Sequence, residues 1–80
     1  MARIEKIRRG NKERHRIHEP VEDCIYYVYD INGERFLQVD SFGQKRREAR
    51  GTVSQSIQVD RRGATELLGA IRDAFPTLQL

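Results

Sequence analysis

Tyr26-Tyr27-Val28-Tyr29-Asp30-Ile31, then Asn32-Gly33, then Glu34-Arg35-Phe36-Leu37-Gln38-Val39 is the stretch that decides how this chain folds. Two β-prone runs separated by Asn-Gly read as a hairpin closed by a type I′ turn, because both turn positions need positive φ and Asn and Gly tolerate it best. A two-residue loop also fixes the register. Val28 then lies opposite Leu37, Tyr26 opposite Val39 and Asp30 opposite Arg35, and these pairs share one surface. Tyr29 opposite Phe36 and Tyr27 opposite Gln38 share the other. Alternate residues of a strand face opposite ways, so one face is aliphatic and the other aromatic and polar.

Working outward, Thr52-Val53-Ser54-Gln55-Ser56-Ile57-Gln58-Val59 alternates with period two, as a half-buried strand does. Val53, Ile57 and Val59 fall on one side; Thr52, Ser54, Ser56 and Gln58 fall on the other, which carries hydroxyls and amides but no charge. Asp60 follows as a helix N-cap, accepting from a free N–H of the first turn. Ala64, Leu67, Leu68, Ile71, Ala74 and Phe75 recur at helical spacing, and Pro76 ends the helix. Gly69, costly inside a helix, is expected to permit close packing against another helix. Upstream, His15-Arg16-Ile17-His18 reads as a first strand ending before Pro20, and Gly10-Asn11 as a turn of a basic hairpin.

The expected fold is α+β and a single domain over residues 1–80: a basic N-terminal segment at 1–16, an antiparallel sheet of three to four strands within 17–60, and one C-terminal helix at 61–75. The helix stripe is expected to cover the aliphatic face of Val28, Leu37, Val39, Val53, Ile57 and Val59. At 80 residues the core is small, and with Cys24 the only cysteine no intrachain disulfide can reinforce it. A homodimer is the expected remedy. No apolar run approaches the ~20 residues that span a bilayer, so no membrane partner is expected. The basic start lacks the apolar core of a secretory signal. The single cysteine fits a reducing compartment, so a cytoplasmic or nucleoid-associated location is expected.

Charge is segregated. Residues 1–16 hold seven cations against two carboxylates, and residues 45–50 four against one, while the rest of the chain is net acidic. Such gathering of positive charge points to a polyanion. The open face would carry Tyr27, Tyr29, Phe36, Gln38, Ser54, Ser56 and Gln58, with Lys45, Arg46, Arg47 and Arg50 on a loop at its end. Aromatic platforms beside cations hold single strands, since every base has a π-face and every nucleotide a phosphate. At least two of the three rings are expected to be accessible. Arg8, Arg9, Lys12 and Arg14 form a second set of candidate phosphate contacts. The rival reading is a protein-interaction module whose aromatic face binds a protein partner.

Catalytic readings have little to stand on. Cys24, His15 and His18 supply three ligands where a structural zinc site normally needs four. Nothing in the spacing gives Cys24 an oriented base and an oxyanion donor. Asp30 and Asp40 are not read as a carboxylate pair, because the register gives Asp30 to Arg35. The expectation is no catalytic residue, no metal and no cofactor.

The order of strand, Asn-Gly turn, strand, basic loop, polar-alternating strand and Asp-capped helix, from about Tyr26 to Phe75, resembles the positive-cofactor-four type of transcriptional coactivator and its bacterial relatives. The residues that carry it are Tyr27-Val28-Tyr29-Asp30 with Asn32-Gly33, Phe36-Leu37-Gln38-Val39, and Ser56-Ile57-Gln58-Val59-Asp60 leading into Leu67-Leu68. The resemblance implies a homodimer that binds single-stranded DNA across its sheets without chemistry. Single-stranded RNA fits the same residue chemistry.

Overall fold

The computed structural model describes residues 1–20, 23–42 and 53–79; the loop bearing Lys45, Arg46, Arg47 and Arg50 and the Ser54 side chain lie outside them. The elements in chain order are β1 (Ala2–Ile4), β2 (Cys24–Ile31), β3 (Glu34–Phe42), β4 (Val53–Val59) and α1 (Arg61–Ala74). Among the described residues they form one open four-stranded sheet in the order β1-β4-β3-β2 with a single C-terminal helix, an α+β architecture.

The hairpin is the one expected. Asn32 and Gly33 take φ of 52° and 82°, as a type I′ turn requires. Every β2–β3 pair follows from that turn, from Ile31 opposite Glu34 to Cys24 opposite Ser41. β4 pairs antiparallel on the other side of β3, Gln58 opposite Gln38 and Ser56 opposite Asp40, with a register shift between Ser41 and Phe42.

The N-terminus departs from the expectation. Residues 15–18 form no strand, and residues 10–11 turn no hairpin. Instead Ala2–Ile4 joins the far edge as a strand parallel to β4, Ile4 opposite Val59. Ile4 extends the aliphatic row of Leu37 and Val59, whereas in His15-Arg16-Ile17-His18 the one apolar side chain, Ile17, stays exposed with nothing to join. After β1 the chain runs along α1. The Ile7 amide donates to Glu66 Oε1 at 3.1 Å, and Arg9 pairs with Asp73 at 3.2 Å.

Asp60 caps α1 from an extended conformation, its carboxylate accepting from the Gly63 amide at 2.9 Å. The Phe75 amide donates to the Ile71 carbonyl, and the Leu78 amide to the Phe75 carbonyl, closing a turn around Pro76. The helix meets the sheet chiefly at β4, through its first turn. A Cβ on Gly63 would run into the Ile4 carbonyl and lie 3.3 Å from the Val59 Cβ. The absent side chain is what lets helix, β1 and β4 meet.

The helix does not cover the aliphatic face. Val59 is buried and Leu37 half-buried, but Val39, Val53 and Ile57 are exposed, as are Val28 at 53% and Tyr26 at 70%. The stripe covers itself no better: Leu67 and Ile71 are half-buried, Leu68 and Phe75 exposed. Among the described residues Phe36 and Val59 are the only buried apolar side chains, and they lie on opposite faces of β3 and β4.

Two consequences can be measured. Glycine inside a helix ordinarily costs about 1 kcal/mol relative to alanine. Gly69→Ala, with open space around its Cα, should therefore raise the melting temperature, whereas Gly63→Ala should lower it through the Ile4 clash. The Asp60 carboxyl is held below the usual carboxylate range, first by the Gly63 N–H. Its folded value lies below its unfolded one, so its contribution is complete above the unfolded value and is lost as pH falls through the folded one. In thermal melts the gap between wild type and Asp60→Asn should hold at pH 6 and shrink only below about pH 4.

Candidate nucleic-acid interface

The register places Ile25, Tyr27, Tyr29, Phe36, Gln38, Asp40, Ser56 and Gln58 on one face. The polar members are bonded to one another. Gln58 Nε2 donates to the Tyr29 hydroxyl at 2.6 Å, which donates to Gln38 Oε1 at 2.8 Å. Gln38 Nε2 in turn donates to Asp40 Oδ1 at 3.0 Å, and Ser56 Oγ donates to the same oxygen at 2.7 Å. The result is a hydrogen-bonded ladder across three strands that ends on a carboxylate. Asp40 and Ser56 are each only 6% exposed. Among the described residues no buried side-chain nitrogen or oxygen lacks a partner.

This ladder changes the roles expected of the site residues. Gln38, Ser56 and Gln58 spend part of their hydrogen-bonding capacity on Tyr29 and Asp40, leaving only the remaining amide hydrogens and lone pairs for a ligand. Tyr29 is half-buried, and its hydroxyl both accepts and donates within the ladder. Phe36, at 7% exposure, is no stacking surface; it sits in an inner strand, its ring stacked on Tyr29 at 6.0 Å between centroids. Tyr27, in the edge strand and at 44% exposure, is the open ring. Two of the three aromatics therefore keep accessible surface, but unequally.

The cations are spread as follows. Arg8, Lys12 and Arg14 are exposed in the N-terminal segment, the His15 ring nitrogen bonding the Lys12 carbonyl. Arg9 is tied to Asp73 on the helix. Lys45, Arg46, Arg47 and Arg50 belong to the loop outside the described residues. Arg3, one of the seven cations of the basic N-terminus but not an expected site residue, lies in β1 opposite Gln58 and extends the row Tyr27–Gln38–Gln58 across all four strands. Its side chain is 48% exposed and only loosely paired with Glu5, at 3.8 Å. The alternation Ala2-Arg3-Ile4 hints at this placement, but only the pairing with β4 reveals it.

Asp30 and Asp40 lie on opposite faces of the sheet. Asp30 accepts from Arg35 at 3.1 and 3.3 Å, and that guanidinium holds its carboxyl below the usual range. Cys24 is exposed at the start of β2, and among the described residues no three His, Cys, Asp or Glu side chains converge. No described helix is long and apolar enough to cross a membrane. No family model matches the chain, and no curated protein or solved structure shows significant similarity to it.

The ladder predicts the effect of one atom. Tyr29→Phe keeps the ring but deprives Gln58 of an acceptor and Gln38 of a donor, so urea denaturation should show a loss of about 1–3 kcal/mol.

Proposed function

We propose that this chain is a non-catalytic nucleic-acid-binding module that holds a single strand, single-stranded DNA foremost, across its aromatic and polar sheet face. The observation that carries the reading is the row Arg3, Gln58, Gln38, Tyr27. It sets one open ring, two amides and one cation across four strands on a single face. A base stacks on Tyr27, the amides meet base edges with their remaining groups, and Arg3 meets a phosphate at the far end. The buried Asp40 lies in the end row with Ile25 and Ser56 and disfavours phosphate directly above it, which leaves the central row of Gln38 and Gln58 to the bases. Arg8, Lys12 and Arg14 add sequence-independent attraction, as do the loop cations Lys45, Arg46, Arg47 and Arg50. RNA single strands offer the same rings and phosphates and make the natural comparison.

The rival reading, a module whose aromatic sheet face binds a protein partner, draws on the same residues, Tyr27 foremost. The more exposed apolar side chains of the hairpin, Tyr26 and Val28, lie on the opposite face.

Equilibrium binding to single-stranded DNA, duplex DNA and single-stranded RNA at two salt concentrations tests the proposal. Tyr27→Ala should weaken single-strand binding by about 1–3 kcal/mol, with a smaller loss for duplex. Arg3→Ala should weaken binding to all sequences alike and reduce the salt slope by about one. Binding that ignores salt and both substitutions would reject the polar face as the site.

A further inference from the structure

The sheet has two edges, and they are built differently. The β1 edge is three residues long, and beyond it come Glu5 and Lys6 and the segment fastened to α1 by Ile7 and Arg9. Short, charged and covered edges are how proteins discourage strand addition. Among the described residues the β2 edge has none of these devices. It runs eight residues, Cys-Ile-Tyr-Tyr-Val-Tyr-Asp-Ile, without proline, glycine or lysine, and its pairing with β3 is unbroken. Its one charge, Asp30, is neutralised by Arg35. Ile25, Tyr26, Tyr27, Val28 and Ile31 are all exposed, and no described strand lies outside them.

The turn also dictates which backbone groups this edge offers. In a two-residue hairpin the closing pair, Ile31 and Glu34, exchanges both of its backbone bonds, and bonded pairs then alternate along the strands. Tyr29, Tyr27 and Ile25 therefore bond inward to β3, while Cys24, Tyr26, Val28 and Asp30 aim their N–H and C=O groups outward.

We infer that the β2 edge is the binding site for β2 of a second copy of this chain, paired antiparallel about a twofold axis into one continuous eight-stranded sheet. An antiparallel edge is its own complement about such an axis. The register that engages all four outward residues of β2 puts Tyr27 on the axis. Tyr26 then faces the partner's Val28, an aromatic opposite a β-branched side chain, and Tyr27 faces the partner's Tyr27; both are favourable cross-strand pairs. Asp30 faces the partner's Cys24, so no like charges meet. Four outward residues on each copy exchange on the order of eight backbone hydrogen bonds. The protected β1 edges close the assembly at two copies.

The single chain leaves room for a partner, because only two apolar side chains are buried among the described residues. The exposed aliphatic face specifies only something apolar, whereas the edge specifies an extended strand with groups at fixed spacing. Pairing about this axis keeps both polar faces on the same side and joins them at the two Tyr27 rings. The inference does not depend on nucleic-acid binding.

Sedimentation at micromolar concentration with amide hydrogen exchange tests it. The wild type should sediment with twice the chain mass, and the amides of Tyr26 and Val28 should be protected although they lie on a sheet edge. Val28→Pro removes an outward N–H, which an edge strand tolerates, so it should keep the wild-type circular dichroism but sediment as a monomer. If that variant does not fold, Val28→Lys serves instead, a charged edge device with the same expected result. Val39→Glu, one strand in from the edge, should remain a dimer. Asp30→Cys should form an interchain disulfide with the partner's Cys24 under oxidation and lose it when Cys24→Ser is added. A monomeric wild type, unprotected edge amides, or a dimer that survives the substitution at Val28 would overturn the proposal. So would a dimer broken by Val39→Glu, which would assign the contact to the aliphatic face.

Discussion

The rest of the structure depends on the two positive-φ residues at Asn32 and Gly33. A two-residue turn leaves the following strand no choice of register, and a slip of one residue would send every side chain to the other face. From this constraint follow the stack of Phe36 on Tyr29, the bond from Tyr29 to Gln38 and the ion pair of Asp30 with Arg35. It also sets which amides of β2 point away from the sheet. A turn of two residues thus governs both the polar face and the free edge.

The polar face is an organised structure in its own right. Hydrogen bonds in a partly buried setting strengthen one another, and a ladder ending on a carboxylate is polarised toward it. Asp40 is the member that gives the ladder its direction, collecting donors from Gln38 and Ser56 while buried itself. The arrangement fixes Tyr29 and the amides rigidly, at the expense of their freedom to adapt to a ligand. Tyr27, outside the ladder, keeps that freedom. A fixed polar floor beside one open ring suits a ligand whose units are flat and alike in shape but differ at their edges.

Among the described residues apolar burial is sparse, and what there is lies on both faces: Phe36 on one side, Val59 on the other. The apolar residues the chain invested in the aliphatic face and in the helix stripe remain largely in water in the single chain. Most domains bury such surfaces against each other, because apolar area removed from water is the main favourable term in folding. The N-terminal segment contributes to what order there is. Ile4, the Ile7 amide and Arg9 fasten it to β4 and α1, and Gly63 gives it room.

The sequence by itself determined the local elements and their faces. Asn-Gly dictates a type I′ turn, period-two alternation in Thr52–Val59 dictates a half-buried strand, and Asp60 before an apolar stripe dictates a capped helix, because each signal acts over a few residues. It also determined that Tyr27, Tyr29, Phe36, Gln38, Ser56 and Gln58 share a face, since parity along a strand is covalent geometry. Only the tertiary structure decided which of them are open. Burial of Phe36 and exposure of Tyr27 depend on strand order, inner against edge, which no local pattern encodes. The place of Arg3 and Ile4 likewise required a parallel pairing across more than fifty residues of intervening chain. The same holds for Asp40. Alone in the sequence it is one acidic residue among twelve, and only β4 alongside β3 brings Ser56 to its oxygen. Long-range pairing is set by the sum of many weak contacts, so it emerges with the fold and not with the motif.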